Sequence, residues 1–513
     1  MTDAKPDPGR RAILGGLLAA AALAGCTAKG QQPAATVIPA AIRPRTSGAL
    51  PVRSGERSAF SYVAENRLRG IGRRSVPTRW TSDDRLSGFL GQHASTARQR
   101  KIQLYVSSTM GSVRIMAFRL GDYAGAGQRL VWSSGPVAVR PQTPFDVDPV
   151  TRMVSCDWDV ATEIDTAAWP EGFYYLVLAA AGSAEHLIPL VVESGSLRGK
   201  AVVVLNDLTM QAYNHWGGHS LYAGAHARFL DRSYKVTFDR PYQNFRELDK
   251  YNSPLIRAAE AIGDNRISLG YTTEARLTRQ PGLLAGAHAL LFSGHTEYWP
   301  AALRRTVEGA RDRGTNVVFF GANSVYWRVR TEPSRLGPER VLVCYKDWNR
   351  DLDPVRYRHP ELDTTIWREG SRPEPESTLT GAMYDDVRVS GAFTVSDPGF
   401  FAFHGTGVSR GDRFPGLVGG EVDRVLKQFR DPSDLHVFAH SPAAGRVYAH
   451  GWADSTAYLA ASGAGVIDMA SLNWLKAQRN RKVPLRSRRF AIRVTQNIIR
   501  AVSAGPLGTQ YRF

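Results

Sequence analysis

The chain has 513 residues, which is too long for a single hydrophobic core and predicts about two or three domains. A composition that is 43% hydrophobic and 22% charged excludes a wholly disordered protein. The formal net charge is +18, but the excess is mostly arginine spread along the chain without a helix-turn-helix, zinc-finger or RNA-module signature, so we expect no nucleic-acid partner.

The first 26 residues have the features of an export signal. Arg10 and Arg11 form a twin-arginine pair, and the apolar run 12–24 is too short to span a bilayer but suits a signal-peptide core. The run leads into Leu-Ala-Gly-Cys, which resembles the lipobox of bacterial lipoproteins and implies lipidation of Cys26. We therefore expect a cell-envelope lipoprotein, anchored by its N-terminal lipid on the outer side of the cytoplasmic membrane. A plain secretory signal is the alternative, and the choice between twin-arginine and general secretory export stays open.

Two segments follow the signal. Residues 27–84 begin with an Ala-, Pro-, Thr- and Ser-rich stretch typical of a tether and continue into an N-terminal extension. Residues 85–197 contain strand-length runs separated by turn residues, such as 101–106, 113–118 and 173–178. This spacing predicts a β-sandwich of the jelly-roll or immunoglobulin-like type.

Residues 198–505 have a different pattern and are predicted to form an α/β domain with the catalytic site. Continuously apolar runs indicate strands buried on both faces, and their alternation with helical periodicity predicts a mostly parallel sheet. The apolar runs are 201–205, 287–292 and 317–320, and the helical segments are 255–262 and 301–313.

Polar and aromatic residues follow each of these apolar runs, where open α/β sheets bind their ligands. We therefore expect a lined pocket at the carboxyl ends of the strands. The first run is followed by Tyr213, Asn214 and Trp216, the second by His295, Glu297 and Trp299, and the third by Asn323, Trp327 and Arg328.

His295 and Glu297 are two positions apart, so both side chains can face one crevice if the chain is extended there. An imidazole and a carboxylate this close suit metal binding or general base catalysis. The alternative is a helix start capped by Thr296 and Glu297, with His295 bonded within a loop. Spacing alone does not decide between them.

Four segments mark the strand ends and the loops between them: QAYNHWGG, VTFDRPY, SGHTEYW and GANSVYWRVR. Together, and in this order, they resemble the large (beta) subunit of N,N-dimethylformamidase and its homologues. The resemblance covers nearly everything from residue 65 to residue 474, and it implies that the α/β domain is similar to class I glutamine amidotransferases. No cysteine stands at the predicted strand ends, so a thiol nucleophile is not available. Further similar segments are 119–123, 156–158, 344–347, 416–423 and 473–474.

The resemblance also implies a mononuclear iron, expected as Fe³⁺, held by two tyrosinates and one glutamate. Carried over by motif, Tyr213 and Glu297 are two of these ligands. The second tyrosinate is assigned to Tyr242, with Tyr234 as a rival and Tyr251 as another, because loop length varies in this region. Such an iron would polarise a substrate carbonyl and generate hydroxide from water. A histidine, His295, is then the expected proton carrier to the departing amine.

The remaining candidates each have two possible roles. Asn214 and Asn323 could donate to a developing oxyanion or cap backbone groups. Arg328 could orient a carboxylate on the substrate or pair with Glu332. The three tryptophans could form an apolar pocket wall or belong to the core, and the core is favoured.

After cleavage, two internal cysteines would remain besides the lipidated one. Cys156 and Cys344 fall in different predicted domains, which argues against a disulfide. We expect both to be small buried hydrophobic residues.

These features predict a metal-dependent hydrolase of C–N (amide) bonds, tethered outside the cytoplasmic membrane and acting on a small amide-like molecule. A catalytically silent envelope-binding lipoprotein and a hydrolase of an ester or sugar-derived substrate are the alternatives. The substrate, the formation of a homo-oligomer and the need for a small partner subunit stay open.

Overall fold

The computed structural model describes residues 60–72, 85–93, 101–180, 185–226, 228–243, 247–370, 372–429 and 431–513. The expected export signal, Cys26 and most of segment 27–84 therefore lie outside the described residues. Ser61–Phe513 form one compact unit. Within the described ranges, no helix combines the length and the apolar character that crossing a bilayer requires.

Antiparallel strands dominate the region before residue 198. They are β1 (Leu86–Leu90), β2 (Lys101–Ser108), β3 (Ser112–Leu120), β4 (Gln128–Ala138), β5 (Asp146–Val147), β6 (Val154–Ser155), β7 (Val160–Asp165), β8 (Gly172–Ala179) and β9 (Glu185–Val192). They pair in the orders β1-β2-β7, β4-β3-β8-β9 and β5-β6. The two larger sheets share one apolar core, which contains the fully buried Leu104, Ile115 and Leu176. The three strand runs predicted here are confirmed.

The strands after residue 198 are β10 (Ala201–Leu205), β11 (Lys235–Thr237), β12 (Leu269–Thr273), β13 (Ala289–Gly294), β14 (Tyr298–Pro300), β15 (Asn316–Gly321), β16 (Trp327–Ser334), β17 (Gly337–Val343), β18 (Thr365–Ile366), β19 (Met383–Thr394), β20 (Arg413–Arg424), β21 (His436–Ala444), β22 (Gly451–Leu459) and β23 (Gly465–Asp468). Nine of them form one sheet, in the order β12-β10-β13-β15-β23-β22-β21-β19-β20. A smaller sheet has the order β11-β17-β16-β14, with β18 paired to β16.

The nine-stranded sheet is mixed rather than mostly parallel. From β12 to β23 all neighbours are parallel, whereas from β23 to β20 they are antiparallel. The parallel half contains the three predicted apolar runs. The antiparallel half comes from strands that follow one another with little helix between them, a connection that favours antiparallel pairing. The sequence pattern did not predict those strands.

The helices are α1 (Tyr62–Asn66), α2 (Asp207–Tyr213), α3 (Ser253–Glu260), α4 (Glu274–Arg279), α5 (Ala301–Arg311), α6 (Ser377–Thr380), α7 (Asn473–Arg479) and α8 (Leu485–Ser503). Both predicted helical segments coincide with helices, α3 and α5. The chain is thus β-rich and built from several sheets, in agreement with the predicted class at that level. Cys156 and Cys344 are buried and free, as expected.

A buried ion pair joins β3 to α3. Arg119 Nη2 donates to Glu260 Oε1 at 2.8 Å, and both side chains are 0% exposed. The hydroxyl of Tyr271 donates to the same carboxylate oxygen at 2.6 Å. Because two buried ions are stable only when their remaining polar atoms are bonded, this network holds the N-terminal strands firmly against the α/β part.

Removing the carboxylate of this pair tests its contribution. We expect Glu260→Ala to lower the free energy of unfolding by about 3–5 kcal/mol, because it leaves the Arg119 guanidinium buried without a counter-ion. The matched control is Asp159→Ala, which breaks an ion pair with Arg140 whose side chains are 75% and 74% exposed. That change should lower the free energy by about 0–1 kcal/mol. Equal effects in urea unfolding would show that the buried pair has no special role.

Candidate active site

Two loops, after β13 and β15, form the candidate site at the carboxyl ends of neighbouring parallel strands. One backbone hydrogen bond joins the two loops, because the Val325 N–H donates to Thr296 O at 2.8 Å. Gly294 begins the first loop with a φ of 57°. A Cβ at this position would lie 2.3 Å from Cγ of Tyr251, so only glycine fits here.

Tyr213 and Glu297, two of the predicted ligands, are in direct contact. The Tyr213 hydroxyl donates to Glu297 Oε2 at 2.7 Å. Tyr213 is the last residue of α2, which begins almost directly after β10 and so carries the phenol to the end of the adjacent β13. Burial raises the pKa of both side chains, and the Glu297 charge raises that of Tyr213 further. The phenol is therefore protonated, and its oxygen is close enough to the carboxylate for both to bind one ion.

His295 lies between two carboxylates. Its Nε2 is 2.9 Å from Glu421 Oε2, and its Nδ1 is 3.4 Å from Glu247 Oε2. Burial alone would lower the pKa of His295, but the two carboxylates raise it well above its usual value. The ring also stacks on Tyr213, with centroids 5.6 Å apart and an interplanar angle of 10°. The two carboxylates thus favour the imidazolium form of His295 over the neutral form that binds metals.

Glu421 connects His295 to Asn323. The Asn323 side-chain amide donates to Glu421 Oε2 at 2.8 Å. Asn323 has a φ of 56°, in the left-handed region that asparagine tolerates better than most residues. Although burial would raise the pKa of Glu421, the His295 charge and these hydrogen bonds lower it, so this carboxylate is ionised.

Phenol rings and one buried ammonium surround the Tyr213–Glu297 contact. The ring centroid of Tyr222 lies 5.2 Å from that of Tyr213, and the centroid of Tyr298 lies 5.9 Å from it. Lys346 is 1% exposed and donates to the Tyr298 hydroxyl. Burial lowers the pKa of Lys346 to about 8, although the Glu297 charge acts in the opposite direction. The ammonium offsets part of the negative charge of the site.

Two further carboxyl groups are buried nearby, and one of them, Glu274, bonds the first loop. The Thr296 hydroxyl donates to Glu274, and the Ala275 N–H donates to Asp207 Oδ1 at 3.0 Å. Burial raises the pKa of Asp207 to about 7 and that of Glu274 well above its usual value. Protons on these groups, rather than counter-ions, neutralise this part of the core.

The sequence model of the family described as N,N-dimethylformamidase beta subunit-like, C-terminal, matches residues 114–482, well over half of the chain. The chain belongs to this family. Its membership confirms the resemblance from which the ligands were assigned and places the chain among dimethylformamidase-like hydrolases. A comparison with curated proteins gave no match.

In this member of the dimethylformamidase family, the second predicted tyrosinate, Tyr242, is buried. The charged groups that act on its phenol are Asp207, Arg240 and Arg340. The rival Tyr234 stacks on Tyr345. Of the rivals, Tyr251 is the one that contacts the site, with its ring 6.0 Å from that of His295.

Asn214 braces the loop after α2. Its Nδ2 donates to Pro241 O at 2.9 Å, and its Oδ1 accepts the Gln243 N–H at 3.0 Å. Both ends of the amide thus bond backbone groups, which is the contact that the capping alternative describes. The helix-cap alternative for the first loop does not occur, since α5 begins at Ala301 after Pro300.

The other predicted pocket residues pack or bond within the fold. Trp299 and Trp327 belong to the main hydrophobic core, and Trp216 packs against a separate aromatic cluster of the N-terminal region. Arg328 donates to a backbone carbonyl and does not pair with Glu332. The packing of these tryptophans thus agrees with the core role that the sequence favoured.

Sequence reasoning missed Tyr222, Glu247, Glu421 and Lys346 as site residues. Glu421 and Lys346 lie inside segments that carried the family resemblance, so their positions were marked without a role. A contact such as His295 to Glu421 joins residues 126 positions apart, which no periodicity indicates. Tyr222 lies in an irregular loop and Glu247 at the start of a short helical segment, and no sequence pattern marks either position.

The raised pKa of Asp207 predicts a pH effect on stability. A carboxyl that ionises at about 7 in the folded chain and near 3.8 when unfolded stabilises the fold at low pH, and this contribution is lost as pH rises from about 4 to 7. Asp207→Asn keeps an oxygen for the Ala275 N–H and removes the titration. Urea unfolding between pH 5 and pH 7 should show a shallower loss of stability in the variant, by up to about 1.4 kcal/mol per pH unit. A slope identical to that of the exposed control Asp159→Asn would contradict this.

Proposed function

We propose that the chain is a metal-dependent hydrolase of C–N bonds in amides, with a mononuclear ferric ion as cofactor. The observation that carries the proposal is the 2.7 Å contact of Tyr213 Oη with Glu297 Oε2, beside an imidazolium. Phenolate and carboxylate are hard, anionic ligands that suit ferric iron. Membership of the dimethylformamidase-like family supports the reaction class.

The donor set fits such an ion, with one change from the sequence-based assignment. Tyr213, Glu297 and Tyr222 would hold it, because the Tyr222 ring is 5.2 Å from Tyr213 and the Glu297 charge acts on its phenol. In the described part of the chain, no group of three or more His, Cys, Asp or Glu side chains could hold a metal. A site here therefore needs tyrosine oxygens. A multivalent cation would also supply the positive charge that several buried anions require.

The surrounding residues suit the proton and hydrogen-bond steps of amide hydrolysis. A bound ferric ion would polarise the substrate carbonyl and lower the pKa of a water molecule. His295 holds a proton between Glu421 and Glu247 and would deliver it to the departing amine, which is a poor leaving group when unprotonated. Asn323, fixed through its amide nitrogen, has a buried Oδ1 that accepts no hydrogen bond from any described group. That oxygen would accept an N–H of the substrate.

The proposal extends to location, partners and fold. Arg10, Arg11, the apolar run and Cys26 support a lipoprotein on the outer side of the cytoplasmic membrane. The family is named for a subunit of an amidase, which is compatible with a small partner subunit. The shared core of the two N-terminal sheets supports a β-sandwich, and the parallel half of the large sheet supports a likeness to class I glutamine amidotransferases.

Three phenylalanine variants separate the possible phenolate ligands. Protein lacking residues 1–26 and supplied with iron should bind it stoichiometrically and show a visible phenolate-to-iron absorption band. We expect Tyr213→Phe and Tyr222→Phe each to lose most of the iron and the band, because each removes an anionic oxygen ligand. Tyr242→Phe is the matched control and should keep both.

The functional part of this experiment is the hydrolysis of N-substituted amides, measured through the amount of amine that is released. Glu297→Gln should lower kcat/KM by at least about 10²-fold, since it removes a ligand of the ion that activates the carbonyl. A colourless protein that gains nothing from added iron would exclude the metal centre. Full activity of Glu297→Gln would favour a site elsewhere in the chain.

The lipid anchor has its own test. In bacterial cells expressing the full chain, we expect labelled palmitate to be incorporated into the wild type and not into Cys26→Ser, which should leave the membrane fraction. Replacing Arg10 and Arg11 with lysine keeps the charge and should block export only if the twin-arginine route is used. Palmitate incorporation into Cys26→Ser would show that the lipid is attached elsewhere.

A further inference from the structure

Two buried aspartates lie behind Asn323, outside the groups used so far. Asp423 is 1% exposed and Asp468 is 0% exposed. Asp423 follows Glu421 by two positions on β20, so the two side chains are on the same face of that strand. Asp468 is the last residue of β23, the strand beside β15. The pair thus sits where the second site loop leaves the sheet.

The hydrogen bonds of this pair require a proton between the carboxyl groups. Asp423 Oδ1 accepts the Asn323 N–H at 2.7 Å, and Asp468 Oδ1 accepts the Ala470 N–H at 2.8 Å. The two carboxyl groups also hydrogen-bond each other. Ionised carboxylates only accept, so this contact exists only if one of them is protonated. No other described residue donates to Asp468 Oδ2, which would otherwise be a buried, unsatisfied acceptor.

The electrostatic surroundings favour retention of this proton. Burial raises the pKa of Asp423 to about 7 and that of Asp468 well above its usual value. Of the charged groups facing the pair, Glu421 raises the pKa of Asp423 further and Arg368 lowers it. Arg368 is itself engaged with Glu376, at 3.0 Å from Nε to each carboxylate oxygen. Above neutral pH the pair therefore has one proton and one negative charge.

We propose that Asp423 and Asp468 share a single retained proton and act as positioning residues for the Asn323–Glu421–His295 chain. The shared proton fixes Asp423, and Asp423 fixes the Asn323 N–H in its left-handed backbone conformation. The Asn323 amide then holds Glu421 at 2.8 Å, and Glu421 holds His295 at 2.9 Å.

This inference concerns a proton inside the fold, so it does not require the hydrolase proposal to be correct. Only its activity arm rests on the proposed function. The test uses the full chain and the variant Asp468→Asn, which is nearly isosteric. Its Oδ1 can accept the Ala470 N–H, and its Nδ2 can donate to Asp423 in place of the proton.

The first arm detects the proton itself. At pH 8, the infrared spectrum of Asp468→Asn should lack the protonated-carboxyl intensity of one group that the wild type shows. Unfolding of the variant at that pH should also release one proton fewer, measured from the pH dependence of its urea unfolding. The control Asp159→Asn changes an aspartate whose side chain is 74% exposed and should match the wild type in both measurements.

The second arm detects positioning. Asp468→Asn should keep kcat/KM within about threefold of the wild type, because all its hydrogen bonds are replaced. The double variant Asp423→Asn with Asp468→Asn turns two amide groups toward each other as donors, so its contact breaks. We expect kcat/KM of the double variant to fall by about tenfold or more, and its crystal structure to show Asn323 displaced.

Each result decides one part of the inference. An infrared spectrum and a proton release unchanged in Asp468→Asn would overturn the shared proton. A double variant with wild-type kcat/KM and an undisplaced Asn323 would overturn the positioning role. If the wild type hydrolyses no amide, the proposed function fails, while the infrared spectrum, the proton release and the position of Asn323 still decide the role of the pair.

Discussion

Several acidic side chains are buried in one place, and the need to neutralise them is the constraint on which the rest of this site depends. A carboxylate removed from water is stable only beside a cation, with hydrogen-bond donors, or in its protonated form. The fold uses all three solutions. Glu297 accepts a hydrogen bond from the Tyr213 hydroxyl, Glu421 is bound to the His295 cation, and Lys346 lies close by as an ammonium. A ferric ion would take over the role of the phenolic proton.

The large sheet supplies the geometry that this concentration of charge requires. Its parallel half ends in the loops that carry the phenol, the imidazole and the amide. Its antiparallel half bends back toward them, because Val422 on the far edge strand β20 forms a bridge with Ser471, just beyond β23. The Leu472 N–H also donates to Glu421 O at 3.1 Å. This curvature brings Glu421, which lies on the edge strand β20, close to His295.

Behind the ionised groups lies a layer of carboxyl groups that burial keeps partly protonated. Glu274 bonds Thr296 in the loop after β13, and Asp423 bonds Asn323 in the loop after β15. Their neighbours Asp207 and Asp468 bond backbone N–H groups outside these loops. A protonated carboxyl group donates as well as accepts, so each retained proton removes one negative charge from an already anionic region.

The sequence predicted the parts of this arrangement that depend on local pattern. Continuous apolar runs identified β10, β13 and β15, and the motifs at their ends identified Tyr213, His295 and Glu297. The antiparallel half was missed because no pattern in one strand reveals its partner across a long separation. Tyr222 was not predicted for a related reason, since it lies in an irregular loop whose sequence pattern gives no position for its ring. A tryptophan suits either a pocket wall or the core, so only its packing in the structure distinguishes the two roles.

X-ray diffraction at the iron absorption edge, on crystals of the protein lacking residues 1–26 grown with iron, tests the central claim most directly. We predict an anomalous peak about 2 Å from the oxygens of Tyr213, Tyr222 and Glu297, with the Tyr213 proton displaced. A peak at other residues, or no peak with the Tyr213–Glu297 hydrogen bond intact, would contradict the claim that these buried oxygens form a metal centre.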